Sequence, residues 1–406
     1  MGRAKVIYIY ILFVFFTGAL SYSQWEDIMP TSMVNKILIF SIIGFTLIAP
    51  KRRIYNTPLP KYVMMLAFIP FISMFGAHFF HGQSWIDCIN ATLFNLSYLI
   101  FFLLVRWDIQ EKDLVKMIIV FGCIFSLIEL LQEFTYPKVW FYAQKDLDTL
   151  SNDVRNGLYR FRMAGIDFAV LLFFYSFQTL TKKITTKHVI LLVIGAIGVY
   201  LSLTRQIMVA SIGSAALVYV FAKKNKFRNI IILLVVFSII YVNADVLFGS
   251  FVEQTNDELD SDYIRFLSYN YFGIEWNNGN VLKSLIGNGF PYYNISSPYG
   301  REIENLHSIG LFASDVGIVG MYALYGVFYV AICVGFLVYA FRNFRYIEPY
   351  VKMYLLFMTF TIVMLWSFGM SAYGTTRTAL IMYLIYLNIK KNKSKYMEKY
   401  PANVIQ

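Results

Sequence analysis

Charged residues are scarce in this chain of 406 residues. Asp, Glu, Lys and Arg make up 15% of it and hydrophobic residues 58%, whereas a soluble domain has roughly 25% and 45 to 50%. Apolar runs near the length of about 20 residues that crosses a bilayer core recur along the whole sequence. This composition excludes a soluble fold and predicts one continuous membrane domain over residues 1–406.

Cysteine is also rare, and motifs for metal chemistry are missing. Cys88, Cys123 and Cys333 lie in or beside apolar runs, are odd in number and form no CxxC pair. Neither a disulfide framework nor a metal site is predicted. HExxH, GxSxG and Asp-rich metal motifs are lacking in the expected outer loops, which disfavours a metal-dependent hydrolase. We expect no metal and no other cofactor.

The apolar runs predict an all-α polytopic membrane protein with about twelve transmembrane helices. The expected spans cover residues 6–22, 34–49, 62–79, 88–105, 114–133, 163–180, 188–203, 205–222, 229–248, 316–341, 350–370 and 378–389.

The distribution of basic residues predicts the orientation of these spans. Most Lys and Arg residues fall in alternate short connections and in both termini, which are therefore expected in the cytoplasm. The net charge of +11 follows from this topology and requires no nucleic-acid partner. Two large loops, 135–162 and 250–315, are then expected on the opposite side, with short amphipathic helices of their own. Loops of this length usually have a function, so we expect the chemistry at the outer face.

Seven arginines on the expected outer side are not explained by the cytoplasmic bias. A guanidinium stays charged and offers a planar fork that matches phosphate and carboxylate oxygens. The alternative is that these arginines contact lipid headgroups or nearby acids. Arg205 is the strongest candidate because it stands between two apolar runs, where a charge is costly and usually functional. The seven residues are Arg155, Arg160, Arg162, Arg205, Arg265, Arg301 and Arg377.

Each large loop contains a further candidate motif. The three arginines of residues 155–162, with Gly157 among them, could wrap one anionic group, or the segment could form an interfacial helix or turn. In the second loop, Gly287-Asn288-Gly289 lacks the context of a nucleotide loop and predicts a turn that caps a short amphipathic helix. His307, beside Glu304 and Asp315, is either a general acid or base or a hydrogen-bonding residue at the membrane surface.

Together, these motifs resemble those of the O-antigen polymerase and O-antigen ligase superfamily. The shared features are the Ser-Leu-Thr-Arg205 junction, the Gly287-x-Gly289 stretch, Asn305-Leu306-His307 and a Gly317-x-x-Gly320 helix start. Thr204 and Ser308 depart from the family, which commonly has serine and asparagine at these positions. The Arg155-x-Gly157-x-x-Arg160 pattern is similar to one in the polymerases and favours polymerase over ligase.

This resemblance implies a glycosyltransferase of GT-C-like architecture in the bacterial inner membrane. Its substrate would be an undecaprenyl-diphosphate-linked oligosaccharide at the periplasmic face, and its partners the lipid bilayer and a chain-length regulator membrane protein. Arg205, Arg265 and His307 would be catalytic. The expected substrate-binding residues are Arg155, Arg160, Arg162, Arg301, Arg377, Glu304 and Asp315.

Two other functions fit the same sequence. A ligase would transfer finished polysaccharide to a lipid A core. A flippase for lipid-linked sugars would also have about twelve spans, although transporters often show two related halves, and no such repeat is visible here.

Overall fold

The computed structural model describes residues 2–22, 28, 30–50, 56–141, 154–155, 157–221, 264–294 and 296–399. The expected span 229–248 lies outside these residues.

The described part of the chain is mostly helical. Its longer helices, in chain order, are α1 Gly2–Phe16, α2 Thr31–Ile48, α3 Leu59–His81, α4 Trp85–Trp107 with a 3-10 stretch at Leu93–Leu99, α5 Glu111–Thr135, α6 Ile166–Lys182, α7 Thr186–Leu201, α8 Arg205–Val220, α9 over 264–273, α10 Val281–Ile286, α11 Pro298–Ser308, α12 Gly317–Arg342, α13 Pro349–Thr361 and α14 Ala372–Lys399. Three 3-10 turns lie at Glu275–Asn277, Ala313–Val316 and Phe344–Tyr346, and a short turn follows α1 at Gly18–Ser21. The strands β1 Val154–Arg155 and β2 Leu158–Tyr159 form one small antiparallel hairpin.

Several of these helices can cross a membrane. Five of them, α2, α3, α4, α5 and the segment Ala313–Arg342 that contains α12, are long and apolar enough, and α7 and α8 are shorter apolar helices. Large aliphatic and aromatic side chains lie exposed along their outer faces, as expected where lipid is the solvent. The chain is therefore a multi-pass membrane protein.

Two expected spans are shorter as helices than predicted. The first was expected to reach residue 22, but α1 ends at Phe16, and Ala19 and Leu20 have left-handed backbone conformations. The span expected over 350–370 ends as a helix at Thr361 and continues as irregular backbone up to residue 371. Irregular backbone at this depth has to be paired inside the protein. Here Ile318 N donates to the Ile362 carbonyl at 2.8 Å, and Trp366 Nε1 donates to the Ala313 carbonyl at 3.0 Å.

Around residues 155–162, for which an interfacial helix or turn was predicted, the described residues form the β1–β2 hairpin, in which Val154 pairs with Tyr159 and Arg155 with Leu158. An Asn-Gly pair is typical of a tight hairpin turn, so Asn156-Gly157 was the sequence signal for it. The second loop does contain helices, α9, α10 and α11, and α11 buries Tyr299, Ile303 and Leu306 along one face.

The Gly287-Asn288-Gly289 segment docks between two membrane helices. Gly287 ends α10 with φ of 81°, as the sequence predicted for a capping turn. Asn288 N and Gly289 N then donate to the carbonyls of Ala323 and Leu324 on α12, at 3.0 and 2.8 Å. The α12 helix is interrupted next to these carbonyls, at Gly326, where φ is 78°. The second loop is therefore wedged into the bundle.

Close helix packing positions the first loop. α7 lies against α5 and α6 with glycines at the contacts, because a Cβ on Gly195 would come within 2.8 Å of Phe173 N and one on Gly198 would overlap Ser126 Oγ. These contacts fix the end of α7 relative to the last turn of α5.

Gly287→Ala is expected to destabilise the protein far more than Gly279→Ala. Both glycines have positive φ, which costs an alanine about 1–2 kcal/mol. Only at Gly287 would the Cβ also overlap the Leu324 carbonyl, and such overpacking costs typically a further 1–3 kcal/mol, whereas Gly279 has open space. Thermal unfolding of the two variants in detergent measures the difference. Equal shifts in Tm would show that the wedge does not exist.

Candidate functional site

The β1–β2 hairpin is held over the end of α5 by side chains of that helix. Tyr159 N lies 3.0 and 3.3 Å from the two carboxylate oxygens of Glu133, and the Tyr159 ring stacks on Tyr136 with centroids 3.6 Å apart. Gln132 Oε1 accepts hydrogen bonds from Trp140 N and Phe141 N at 3.1 and 2.6 Å. The last turn of α5 thus organises the backbone on both sides of the loop.

The hairpin brings two arginines onto the junction between α7 and α8. Arg155 Nη1 donates to the Leu203 carbonyl at 3.2 Å, and Arg160 Nη2 donates to Thr204 Oγ1 at 3.1 Å. Arg205 is the next residue and the first of α8. The two motifs that the sequence singled out separately therefore meet, and we call Arg155, Arg160 and Arg205 the arginine cluster.

The backbone of the junction adds to the positive potential of the arginine cluster. Leu203 is buried and has a φ of 46°, which turns the chain sharply between α7 and α8. Thr204, which accepts the hydrogen bond from Arg160, is the N-cap residue of α8, so the N-terminus of α8 lies beside the cluster. The free N–H groups of a helix N-terminus carry a partial positive charge that attracts anions. The guanidinium groups of Arg155 and Arg160 beside a helix N-terminus make this position suited to an anion.

Arg162 and Arg377 have different surroundings. Arg162 is exposed and has a left-handed backbone, with φ of 42°. Arg377 lies inside the bundle, where Nη1 pairs with Asp167 Oδ2 at 2.8 Å and Nη2 donates to the Ser367 carbonyl at 2.7 Å. The side chains of Arg377 and Asp167 are only 14% and 7% exposed.

Two tyrosines complete the buried pair. Tyr354 Oη donates to Asp167 Oδ1 at 2.7 Å and Tyr373 Oη to Asp167 Oδ2 at 3.3 Å. Asp167 is the second residue of α6, so the carboxylate joins α6 to α13 and α14. The sequence analysis named Arg377 and missed Asp167, although a single acid at the start of an apolar run is the signal that would have found it.

The remaining candidates lie on the second loop. Arg301, Glu304 and Asp315 are exposed, and Arg265 is half-buried on α9 beside Tyr269. No carboxylate lies within ion-pair distance of Arg265 or Arg301 among the described residues.

His307 is half-buried in an aromatic setting. Its ring stacks on Phe312 with centroids 4.6 Å apart, and the Tyr293 ring lies 6.2 Å away. Burial lowers the pKa of His307 below its ordinary value of 6.5. The nearby carboxylates of Asp315 and Glu304 raise this pKa, but their effect is smaller than that of burial. The imidazole is therefore largely neutral at pH 7 and able to accept a proton. Burial also raises the pKa of Tyr293 to about 12, so this phenol stays protonated.

A second histidine, His81, was not among the candidates predicted from the sequence. It stands at the end of the apolar run that forms α3, where no neighbouring motif draws attention to it. Its ring is 5% exposed, stacks on Tyr299 at 4.1 Å, and lies with Nδ1 2.6 Å from Glu302 Oε2 and Nε2 3.0 Å from Asn288 Oδ1.

The neighbours of Asn288 fix the protons of this group. Its amide nitrogen donates to the Ala323 carbonyl and to Asn277 Oδ1, both at 2.9 Å, so Oδ1 must be the atom that faces His81. His81 Nε2 therefore carries a hydrogen. The contact from Nδ1 to Glu302 then requires one further proton between the two. The proton-sharing pair ties α11, which carries His307, to α3.

Comparison with known proteins gave no match: no family model, no curated protein and no solved structure is similar to this chain. The resemblance to the O-antigen polymerases thus depends on the short motifs alone.

Asp167→Ala is expected to destabilise the protein by roughly 3–5 kcal/mol, because it leaves the Arg377 charge buried without a counter-ion. Adding Arg377→Met should recover much of this loss, since no charge is then buried. Thermal unfolding in detergent gives the comparison. As a control, Lys182→Ala removes a 63% exposed partner 3.9 Å from Glu348 and should change little. An Asp167→Ala variant as stable as that control would contradict the account.

Proposed function

We propose that the protein polymerises undecaprenyl-diphosphate-linked oligosaccharides at the periplasmic face of a bacterial inner membrane, as an O-antigen polymerase does. The observation that supports this most is the meeting of Arg155 and Arg160 with the Leu203–Arg205 junction. It brings two of the motifs behind the family resemblance to one place. Twelve spans, two cytoplasmic termini and a GT-C-like arrangement belong to the same proposal.

The arginine cluster suits the departure of a lipid diphosphate. In the proposed reaction, an acceptor sugar hydroxyl attacks the anomeric carbon of the donor, the bond from that carbon to the diphosphate oxygen breaks, and the electron pair leaves with the diphosphate. Preorganised cations stabilise the charge that develops there. Arg205, with Arg155 and Arg160 beside it, would hold the donor diphosphate, and Arg265 would contribute from the second loop.

His307 is the proposed acceptor of the hydroxyl proton. A general base near neutral pH must be unprotonated at working pH, and the lowered pKa of His307 meets this condition. Glu304 and Asp315 are exposed nearby and would contact the acceptor sugar. Arg162, Arg301 and Arg377 remain proposed substrate contacts.

Arg205→Ala and Arg265→Ala are expected to abolish long polymer, because loss of one donor to a developing anion costs about 10²- to 10³-fold in rate. The measurement is a gel of surface polysaccharide from a strain that lacks the gene and carries each variant. Lipopolysaccharide that carries a single repeat unit should remain. Lipopolysaccharide without any repeat unit would indicate a ligase.

Arg345→Ala is the matched control, since Arg345 lies over Tyr346 in the connection between α12 and α13, on the side expected in the cytoplasm. This variant should give the same ladder of polysaccharide lengths on the gel as the unchanged protein. Full-length polymer from the Arg205→Ala and Arg265→Ala variants, inserted normally in the membrane, would refute the assignment.

The rate of transfer is expected to fall in acid with a midpoint below pH 6.5. Protonation removes the lone pair of His307, and its lowered pKa places this loss below the ordinary value for histidine. His307→Gln should lower the rate and remove this limb of the profile. Initial rates of the purified protein over pH 5 to 8 provide the test, and the same acid limb in both proteins would assign it to another group.

A further inference from the structure

A basic cleft lies in the opposite half of the bundle from the arginine cluster. It has a volume of about 960 Å³ and opens where α5 begins and α6 ends, with parts of α13 and α14 completing its wall. We call it the lysine cleft. Five lysines from three helices line it: Lys112, Lys116, Lys182, Lys390 and Lys391.

The acids of the lysine cleft are fewer than its lysines and are shared with neutral donors. Glu111 accepts a hydrogen bond from Tyr350 Oη at 3.1 Å and pairs with Lys391 at 3.7 Å. Glu348 accepts from Gln178 Nε2 at 3.2 Å, and Lys182 is 3.9 Å away. Neutral donors thus satisfy part of each carboxylate, and with Asp108 there are three acids against five lysines.

Two of the lysines are the most available. Lys112 and Lys116 are exposed, lie one turn apart on the same face of α5, and have no carboxylate within ion-pair distance among the described residues. A second cleft of about 700 Å³ lies on the other side of this helix and shares both lysines. Arg3 and Lys5 also line it, with Asp108 and Asp113 as its acids, so basic residues are in excess there too. The positive charge therefore follows concave surfaces on both sides of the start of α5.

The lining of the lysine cleft is amphipathic. Val115, Ile119 and Leu387 are half-buried and line it beside the lysines. Val115 and Ile119 follow Lys112 and Lys116 by three residues each, so the apolar surface continues along the membrane-spanning helix from the charged one. A ligand that matches both parts has an anionic head and an apolar tail.

We propose that the lysine cleft binds the phosphate headgroup of an anionic membrane lipid, with an acyl chain over Val115 and Ile119. Basic pockets between helices at a membrane surface are suited to such headgroups. The topology explains why lysines are frequent on this side but not why five line a single cavity. This site is independent of the proposed transferase activity. Its ligand would be bound by electrostatic and apolar contacts and would not react.

The test uses the full-length protein purified in detergent and titrated with phosphatidylglycerol, with bound lipid counted by native mass spectrometry. A Lys112→Gln/Lys116→Gln variant should bind phosphatidylglycerol about 25-fold more weakly, since each cation near an anionic surface adds about fivefold. The matched control, Lys61→Gln/Lys187→Gln, removes two exposed lysines at the starts of α3 and α7, outside the cleft, and should bind like the unchanged protein. Phosphatidylcholine should bind weakly to all three.

Two further outcomes complete the test. Equal binding of phosphatidylglycerol by the cleft variant and the control variant would overturn the proposal. Glycerol 3-phosphate, the same headgroup chemistry without a tail, serves as the soluble probe. If it displaces the lipid at similar concentration and binds through the same two lysines, the site takes a soluble phosphate, and the lipid assignment is overturned.

Discussion

A charge inside a bundle of apolar helices has to be paired, and the Asp167–Arg377 pair determines how three helices meet. Asp167 lies in the first turn of α6, Arg377 lies in the first turns of α14, and Tyr354 donates to the same carboxylate from α13. Arg377 also contacts the irregular backbone that follows α13. The irregular backbone after Thr361 turns the Ser367 carbonyl toward Arg377, and this hydrogen bond compensates for one lost from the helix.

The two loops depend on this core in different ways. The first loop rests on the end of α5 through Glu133 and reaches the α7–α8 junction with Arg155 and Arg160. The second is wedged between α3 and α12 by Gly287 and Gly289 and tied by the proton shared between His81 and Glu302. Rigid helices thus support the loops that carry the charged side chains, which is the usual division between scaffold and site.

The sequence predicted part of the helical architecture. Apolar runs of near-bilayer length predicted α2 to α5 and α12, because burial in lipid leaves little choice of secondary structure. Arg205 was correctly placed at the start of a helix. The end of α13 at Thr361 and the break at Gly326 could not be predicted, since both depend on segments that pack there from elsewhere in the chain. Likewise, the pairing of Arg377 with Asp167, 210 positions away, depends on tertiary structure alone.

The central claim is that the arginine cluster serves the transfer of sugars from a lipid diphosphate, and a reconstituted reaction tests it most directly. The purified protein would be mixed in detergent with undecaprenyl-diphosphate-linked repeat units, and the products separated by length. We expect lipid-linked chains of increasing length, one undecaprenyl diphosphate released for each bond formed, and neither product from the Arg205→Ala variant. Absence of elongation by the folded protein, or unchanged elongation by that variant, would contradict the account.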